Sequence, residues 1–190
     1  MIGRRLLRPA LAALALSAAL AGCGGKHAAY KSAKVTSPGS EGTFLAVGPL
    51  KYQVQLSRAM NPNLVADADW IRDLGQGVTP PGRGKEWFGI WLQIQNERNR
   101  PFHTATSLRI TDAAGHSYRP VPMTSQNVLA YKPQIIPPHT LLPLQNSIAY
   151  RSDTQGMFVL FKLDYGVYQN RPLNLHIGRG PAAASVQLDL

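Results

Sequence analysis

The chain has 190 residues, of which 20 are Lys or Arg and 10 are Asp or Glu, so its formal net charge is +10. The basic residues lie singly in turns and on polar strand faces instead of forming a stripe with interleaved aromatics, and we therefore expect no nucleic-acid partner. The single cysteine excludes an internal disulfide.

The N-terminus has the pattern of a secretory signal peptide, predicted over residues 1–22. Three arginines precede the apolar run Pro9–Gly22, which is shorter than the roughly 20 residues that a membrane-spanning helix needs. The residues Leu20–Cys23, "LAGC", resemble the lipobox of bacterial lipoproteins. This resemblance implies that the Cys23 sulfur is lipidated and that cleavage precedes Cys23. The alternative is an ordinary secretory peptide that leaves a free thiol.

A lipidated Cys23 places the chain on the cell membrane, with the rest facing the extracellular side. After removal of residues 1–22, 17 basic and 10 acidic residues remain, a net charge of +7. An envelope protein, an anionic envelope polymer or lipid headgroups are natural counterparts of this charge. Residues 23–42 are rich in Gly, Ser, Lys and Ala and predict a flexible tether, so residues 43–190 form the folded domain.

Two segments with period-two alternation give the clearest strand predictions. Leu50–Leu56 places four apolar side chains on one face of a strand. Trp87–Gln95 alternates as well, which indicates a central strand that is covered on both faces where it begins. Its predicted face toward the core consists of Phe88, Ile90, Leu92 and Ile94.

The second half of the domain predicts a hairpin and further strands. A strand through Leu108 and Ile110 is followed by a turn at residues 112–115 and a returning strand through Tyr118. Later strands are predicted within residues 157–163, 173–177 and 185–190, the last at a sheet edge. With one weak helical patch at residues 67–74, seven or eight strands indicate an all-β antiparallel sandwich. No cysteine pair joins the sheets, so Trp87 or Trp91 is the expected filler between them.

Four segments resemble a known domain: "KYQVQLSRAMNP", "WFGIWLQIQNERNRPF", "ITDAAGHSYRPV" and "FKLDY" with "NRPLNLHI". They are similar to the immunoglobulin-like domain of unknown function found behind lipoboxes in Gram-positive, especially actinobacterial, surface proteins. The resemblance covers about Phe44–Ile177. It implies an immunoglobulin-like β-sandwich and a surface location, and it supplies no catalytic or ligand-binding residues.

No motif in the sequence predicts a catalytic, cofactor or metal site. The aspartates Asp67, Asp69 and Asp73 lack the glycine and the closing glutamate of a calcium loop, so Asp67 or Asp69 is predicted to cap a helix. There is no nucleophile elbow and no phosphate-binding glycine loop. The histidines lack helical metal spacing and are scattered along the chain: His27, His103, His116, His139 and His176. We expect no cofactor and no enzyme activity.

Two long connections, Ser57–Glu86 and Pro122–Thr140, are the expected place for a binding surface. They hold aromatic and cationic residues outside any periodic pattern, namely Trp70, Arg72, Tyr131 and Lys132. These residues either engage a partner or cap the open ends of the sandwich, and capping is favoured.

The leading functional hypothesis is a lipid-anchored extracellular binding or envelope-structural module. The alternatives are an envelope-anchored hydrolase or metal-handling protein, and an accessory subunit of a transporter or wall-assembly complex.

Overall fold

The computed structural model of the protein describes residues 39–189. The predicted signal peptide, Cys23 and the tether as far as Pro38 lie outside the described residues. The strands, in chain order, are β1 (Gly39–Ser40), β2 (Leu45–Val47), β3 (Leu50–Met60), β4 (Lys85–Asn96), β5 (Phe102–His103), β6 (Leu108–Thr111), β7 (Ser117–Tyr118), β8 (Ile135–Ile136), β9 (Thr140–Leu142), β10 (Met157–Asp164), β11 (Leu173–Ile177) and β12 (Ala184–Leu188). The helices are α1 (Val65–Ile71) and α2 (Ile148–Arg151), and the 3₁₀-helices are Tyr165–Tyr168 and Gly180–Ala182.

Most of the strands form two sheets that enclose one hydrophobic core. The first sheet has the order β1-β12-β11-β6-β7, and the second has the order β2-β3-β4-β10 with β9 also paired to β4. The chain crosses between the sheets after β1, β4, β7 and β10, so each sheet is built from strands that are far apart in the sequence, as in an immunoglobulin-like sandwich. The predicted all-β antiparallel immunoglobulin-like sandwich is confirmed. Beyond the seven predicted strands, the structure adds β1, β2, β5, β8 and β9, each of two or three residues.

Strand β3 follows its predicted alternation as far as Val54 and then changes face. Val54 pairs with Leu92, but Leu56 pairs with the adjacent Trp91, so Gln55 is the extra residue of a β-bulge. Val54 is fully buried in the core, whereas Leu56 turns toward the opposite face and is half-buried. The predicted common face of Leu50–Leu56 is therefore correct for its first three apolar residues and wrong for Leu56.

Strand β4 is covered on both faces, as predicted. Ile90 and Leu92 face the core between the sheets, and both are fully buried. Trp91 is fully buried on the other face, where its ring lies 5.3 Å from Trp70 of α1 and 5.1 Å from Phe158 of β10. The expectation that Trp87 or Trp91 fills the space between the sheets is wrong. Trp91 packs beneath α1 on the outer face of the second sheet, and Trp87 is on the same face, with its ring centre 5.2 Å from the Nζ of Lys162.

Both long connections contain substructures of their own. Strand β3 extends to Met60 and β4 begins at Lys85, so the first connection is residues 61–84 and includes α1. The second contains β8, which pairs with β5.

The last residues of the predicted tether belong to the sandwich. Gly39 and Ser40 pair in parallel with Val186 and Gln187 of β12. The first sheet therefore extends one strand beyond β12, and the predicted edge position of β12 is taken by β1.

Candidate functional site

Trp70, predicted as a partner-binding residue, lies in the core. Its side chain is 6% exposed and packs against Trp91 and Phe158. Asn127 of the second connection donates hydrogen bonds to the carbonyl oxygens of Trp70 and Arg72, at 3.2 and 2.9 Å. Trp70 thus covers the outer face of the second sheet, a different place from the open end of the sandwich that the capping alternative predicts.

Helix α1 is held by an ion pair rather than by a predicted cap. Leu64 occupies the N-cap position without a side-chain hydrogen bond, so the prediction that Asp67 or Asp69 caps this helix is wrong. The buried Asp67 instead accepts hydrogen bonds from both terminal nitrogens of Arg58 and, at 2.8 Å, from the backbone N–H of Asn61. These contacts fasten the start of α1 to β3.

Two further predicted binding residues, Arg72 and Lys132, both contact Asn127. Arg72 is exposed and forms ion pairs of 3.4 Å with Asp69 and 3.8 Å with Asp73. Lys132 donates to the carbonyl oxygens of Ser125 and Asn127, at 2.9 and 3.1 Å, which stabilises its own loop. Asn127 therefore brings the backbone of Trp70 and Arg72 close to Lys132, and these contacts join the two long connections.

Tyr131 lines an open cleft on the side of the sandwich. Its hydroxyl donates to the carbonyl oxygen of Ala105, and burial raises the pKa of that hydroxyl well above its usual value. The cleft has a volume of about 780 Å³ and lies beside the start of β6, where β7 does not yet pair. Its volume falls within the range of about 300–1,000 Å³ that is usual for small-molecule sites.

Three arginines and one histidine line this cleft: Arg109, Arg119, Arg179 and His176. No aspartate or glutamate is among the lining residues that the structure describes. All three arginines are exposed, and within residues 39–189 none of them is paired with a carboxylate. The cleft is therefore a concentration of uncompensated positive charge.

The fold brings these arginines together from three separate segments. Arg109 is on β6, and Arg119 follows β7 where the chain crosses to the second sheet. Arg179 follows β11, and the N–H of the adjacent Gly178 donates to the carbonyl oxygen of Ser107 at 2.9 Å. Gly178 has φ +84° and lies so close to Val47 that a Cβ would be 3.2 Å from its Cγ1, so this turn favours glycine.

His176 shares one sheet face with Arg109, because the two residues are directly opposite in the β11–β6 ladder. Its Nε2 lies 2.8 Å from the hydroxyl oxygen of Thr111. Burial and then the positive charge of Arg109 lower the pKa of His176, so the imidazole is neutral at pH 7. The positive charge of the cleft at this pH comes from the arginines.

The deeper part of the cleft is apolar. Leu108, Val159 and Leu160 are buried residues that line it, and Val121 and Met123 are half-buried beside them. Backbone contacts fix this wall, since the N–H of Val121 donates to the carbonyl oxygen of Leu160 at 2.7 Å. The arrangement suits a ligand with an anionic group and an apolar portion.

A second polar cluster lies in the turn between β6 and β7. The buried Asp112 accepts hydrogen bonds of 2.8 Å from the backbone N–H and from Nδ1 of the exposed His116. Burial alone would raise the pKa of Asp112, but these hydrogen bonds outweigh it and lower the pKa. This pair stabilises the turn. Among the described residues, no three His, Cys, Asp or Glu side chains are grouped as a metal site.

The fold and the cleft together define an all-β sandwich protein with a cationic cleft on its side. No family model and no curated protein matches the sequence. Among solved structures, the chain is similar to the yjhA protein of Bacillus subtilis, with a TM-score of 0.49, 10% identity, and coverage of 80% of this chain and 99% of that one.

Two further solved structures are similar over most of this chain. One is described as "a putative lipoprotein (ycdA)" from Bacillus subtilis, with a TM-score of 0.49, 8% identity, and coverage of 79% of this chain and 39% of that one. The other is "an uncharacterized beta-sandwich protein" from Clostridium difficile, with a TM-score of 0.43, 11% identity, and coverage of 81% and 96%. At these levels of similarity, the strand pairing of the chain itself carries the fold assignment.

Within residues 39–189, no helix is long and apolar enough to cross a bilayer.

Proposed function

We propose that this protein is a lipid-anchored binding module on the outer side of the cell membrane, and that the cationic cleft is its ligand site. The observation that carries the binding role is the meeting of Arg109, Arg119 and Arg179 at a preformed cleft without an acidic partner among the described residues. Unpaired cations in a concave site attract anionic ligands and orient them. We propose no catalytic step at this cleft.

The anchor in this proposal is a diacylglycerol on the Cys23 sulfur, inferred from "LAGC" at residues 20–23. Each buried methylene of an acyl chain contributes about 0.8 kcal/mol, and two chains are sufficient for stable attachment. A single protein domain then remains at the membrane and presents its cleft to the envelope.

One experiment in cells tests both parts of the proposal through two readouts. The first readout is cell fractionation of the wild type and of Cys23→Ser. We expect the wild type at mature size in the membrane, and Cys23→Ser as uncleaved precursor or as protein released to the medium. A Cys23→Ser protein that stays in the membrane at mature size would show that the anchor is wrong.

The second readout is photocrosslinking from the mouth of the cleft. A photoreactive residue replaces the exposed, cleft-lining Thr106, and the control replaces the exposed Ala114 in the turn at the other end of β6. We expect a specific adduct from position 106 alone. A small-molecule adduct supports the cleft as a ligand site, and a protein adduct indicates an accessory subunit instead. Identical adducts, or none, from both positions would refute the binding role of the cleft.

A further inference from the structure

We infer that the cleft binds a ligand with a phosphate group next to a small apolar body, held by Arg109, Arg119 and Arg179. This inference rests on the proposed function and specifies the ligand of the same site.

The number of cations favours a phosphate over a carboxylate. Among the described residues, three guanidinium groups and no carboxylate line the cleft. A phosphate monoester carries a charge of about −1.5 to −2 at pH 7 and offers three acceptor oxygens, whereas a carboxylate carries about −1 and offers two. Guanidinium groups also match phosphate oxygens in a bidentate geometry, which gives short and strong hydrogen bonds.

The positions of the arginines favour a ligand that reaches across the cleft. Arg109 and Arg179 are carried by neighbouring parts of the first sheet, where Gly178 is hydrogen-bonded to Ser107. Arg119 precedes Pro120, which forms a bridge to Phe161 of the second sheet. An anionic group between these segments contacts arginines from both sides of the cleft, and no single arginine is sufficient to hold it.

The apolar wall of the cleft favours a ligand that carries an apolar group beside its phosphate. Three residues form this wall: Val121, which follows β7, and Met123 and Tyr131 of the second connection. All three side chains are half-buried. An apolar group that covers them removes their remaining contact with water, which favours binding. A ligand with both an aromatic or aliphatic group and a phosphate therefore gains from both parts of the cleft.

The test uses the full chain with Cys23→Ser, so that no lipid is attached, and isothermal titration with phenyl phosphate. We expect saturable one-to-one binding that weakens in high salt, weaker binding of benzoate and of inorganic phosphate, and no binding of phenol. Arg119→Gln and Arg179→Gln should each weaken phenyl phosphate binding at least about tenfold, as the loss of a charged hydrogen bond does. Arg→Lys at either position should keep part of the affinity.

The matched control is Arg98→Gln, which removes the same charge from an exposed arginine that does not line the cleft. We expect its affinity to stay within about twofold of the parent chain, since distant surface charges are screened. An equal loss for Arg98→Gln would reduce the effect to net charge and overturn the inference. Tighter binding of benzoate than of phenyl phosphate, or no saturable binding of phenyl phosphate, would overturn it as well.

A vesicle arm distinguishes a soluble phosphate compound from a lipid headgroup. Binding to phosphatidylglycerol vesicles that is lost in Arg119→Gln, kept in Arg98→Gln and competed by phenyl phosphate identifies a headgroup as the source. Binding of phenyl phosphate without vesicle binding identifies a soluble ligand. Photocrosslinks from position 106 that persist in a variant with all three cleft arginines changed to Gln would refute this inference, while the cleft itself would remain a ligand site.

Discussion

Among single residues, the contact between Asp67 and Arg58 shows why the sequence pattern predicts the wrong cap for α1. An aspartate immediately before the first turn of a helix is a common cap, and "DADWIRD" begins with one. The helix in fact starts two residues earlier, at Val65, so Asp67 lies inside its first turn. Its carboxylate turns to β3, where Arg58 also stacks 5.2 Å from the centre of the Trp91 ring. The sequence cannot show this, because Arg58 comes close only through the pairing of β3.

We expect Asp67→Asn to lower the free energy of unfolding at pH 7 by about 1–3 kcal/mol, since it leaves Arg58 without its charged acceptor. The hydrogen bonds from Arg58 lower the pKa of Asp67 below its usual value near 3.8 and outweigh the opposite effect of burial. The ionised form therefore stabilises the fold above about pH 4, and this stabilisation is lost as the pH falls below that value.

Urea unfolding of the wild type and of Asp67→Asn between pH 3 and pH 7 measures this effect. The difference between the two proteins should be constant from pH 5 to pH 7 and shrink below about pH 4. Asp69→Asn is the control, because Asp69 is exposed on the same helix. A difference that stays unchanged down to pH 3 would contradict the role of the Asp67 charge.

At the scale of elements, alternation predicted the long strands well and the short ones poorly. Both faces of β4 and the hairpin of β6 and β7 follow directly from their residue patterns. The sequence does not predict the bulge at Gln55, because the apolar residues still alternate through this position. The pairing with β4 decides which sheet face each side chain after the bulge occupies. Strands of two residues, such as β1 and β8, form only because a neighbouring strand offers backbone partners.

The burial of β4 leads to a prediction about its two faces. Ile90→Ala and Leu92→Ala should each lower the free energy of unfolding by about 2–5 kcal/mol, because both side chains are fully buried between the sheets and their loss leaves a cavity. Gln93→Ala should cost far less, since Gln93 is half-exposed opposite Gln53. Denaturant titration of the three variants checks this. Equal small losses at all three positions would mean that β4 is not the buried centre of its sheet.

At the scale of the whole molecule, the candidate site depends on the way the chain crosses between the sheets. The three arginines are far apart in the sequence: Arg119 comes 10 residues after Arg109, and Arg179 comes 60 residues after Arg119. No local pattern connects them. They meet because the chain leaves the first sheet after β7 and returns to it in β11. The sequence did indicate the second long connection as a binding surface, and Tyr131 of that connection lines the cleft. The binding surface predicted in the first connection includes Trp70, which the structure instead buries.

The two ends of the described chain also meet, and this contact extends the domain beyond its predicted start at residue 43. Glu41 accepts hydrogen bonds from the hydroxyl of Ser57 and, at 3.0 Å, from the backbone N–H of Asp189. Together with the pairing of β1 and β12, these bonds join the beginning of the sandwich to its last strand. The Gly- and Ser-rich composition of residues 37–42 does not predict a strand here, because backbone pairing needs no particular side chain.

We expect a chain that begins at residue 43 to be less stable than one that begins at residue 36, by about 1–3 kcal/mol, because it lacks β1 and the hydrogen bonds of Glu41. Thermal and urea unfolding of the two chains measures the difference. Glu41→Gln in the longer chain should cost only part of this amount, since the β1–β12 pairing and one acceptor oxygen remain. Equal unfolding free energies for the two chains would restore the tether boundary at residue 42 and reduce β1 to a contact without energetic weight.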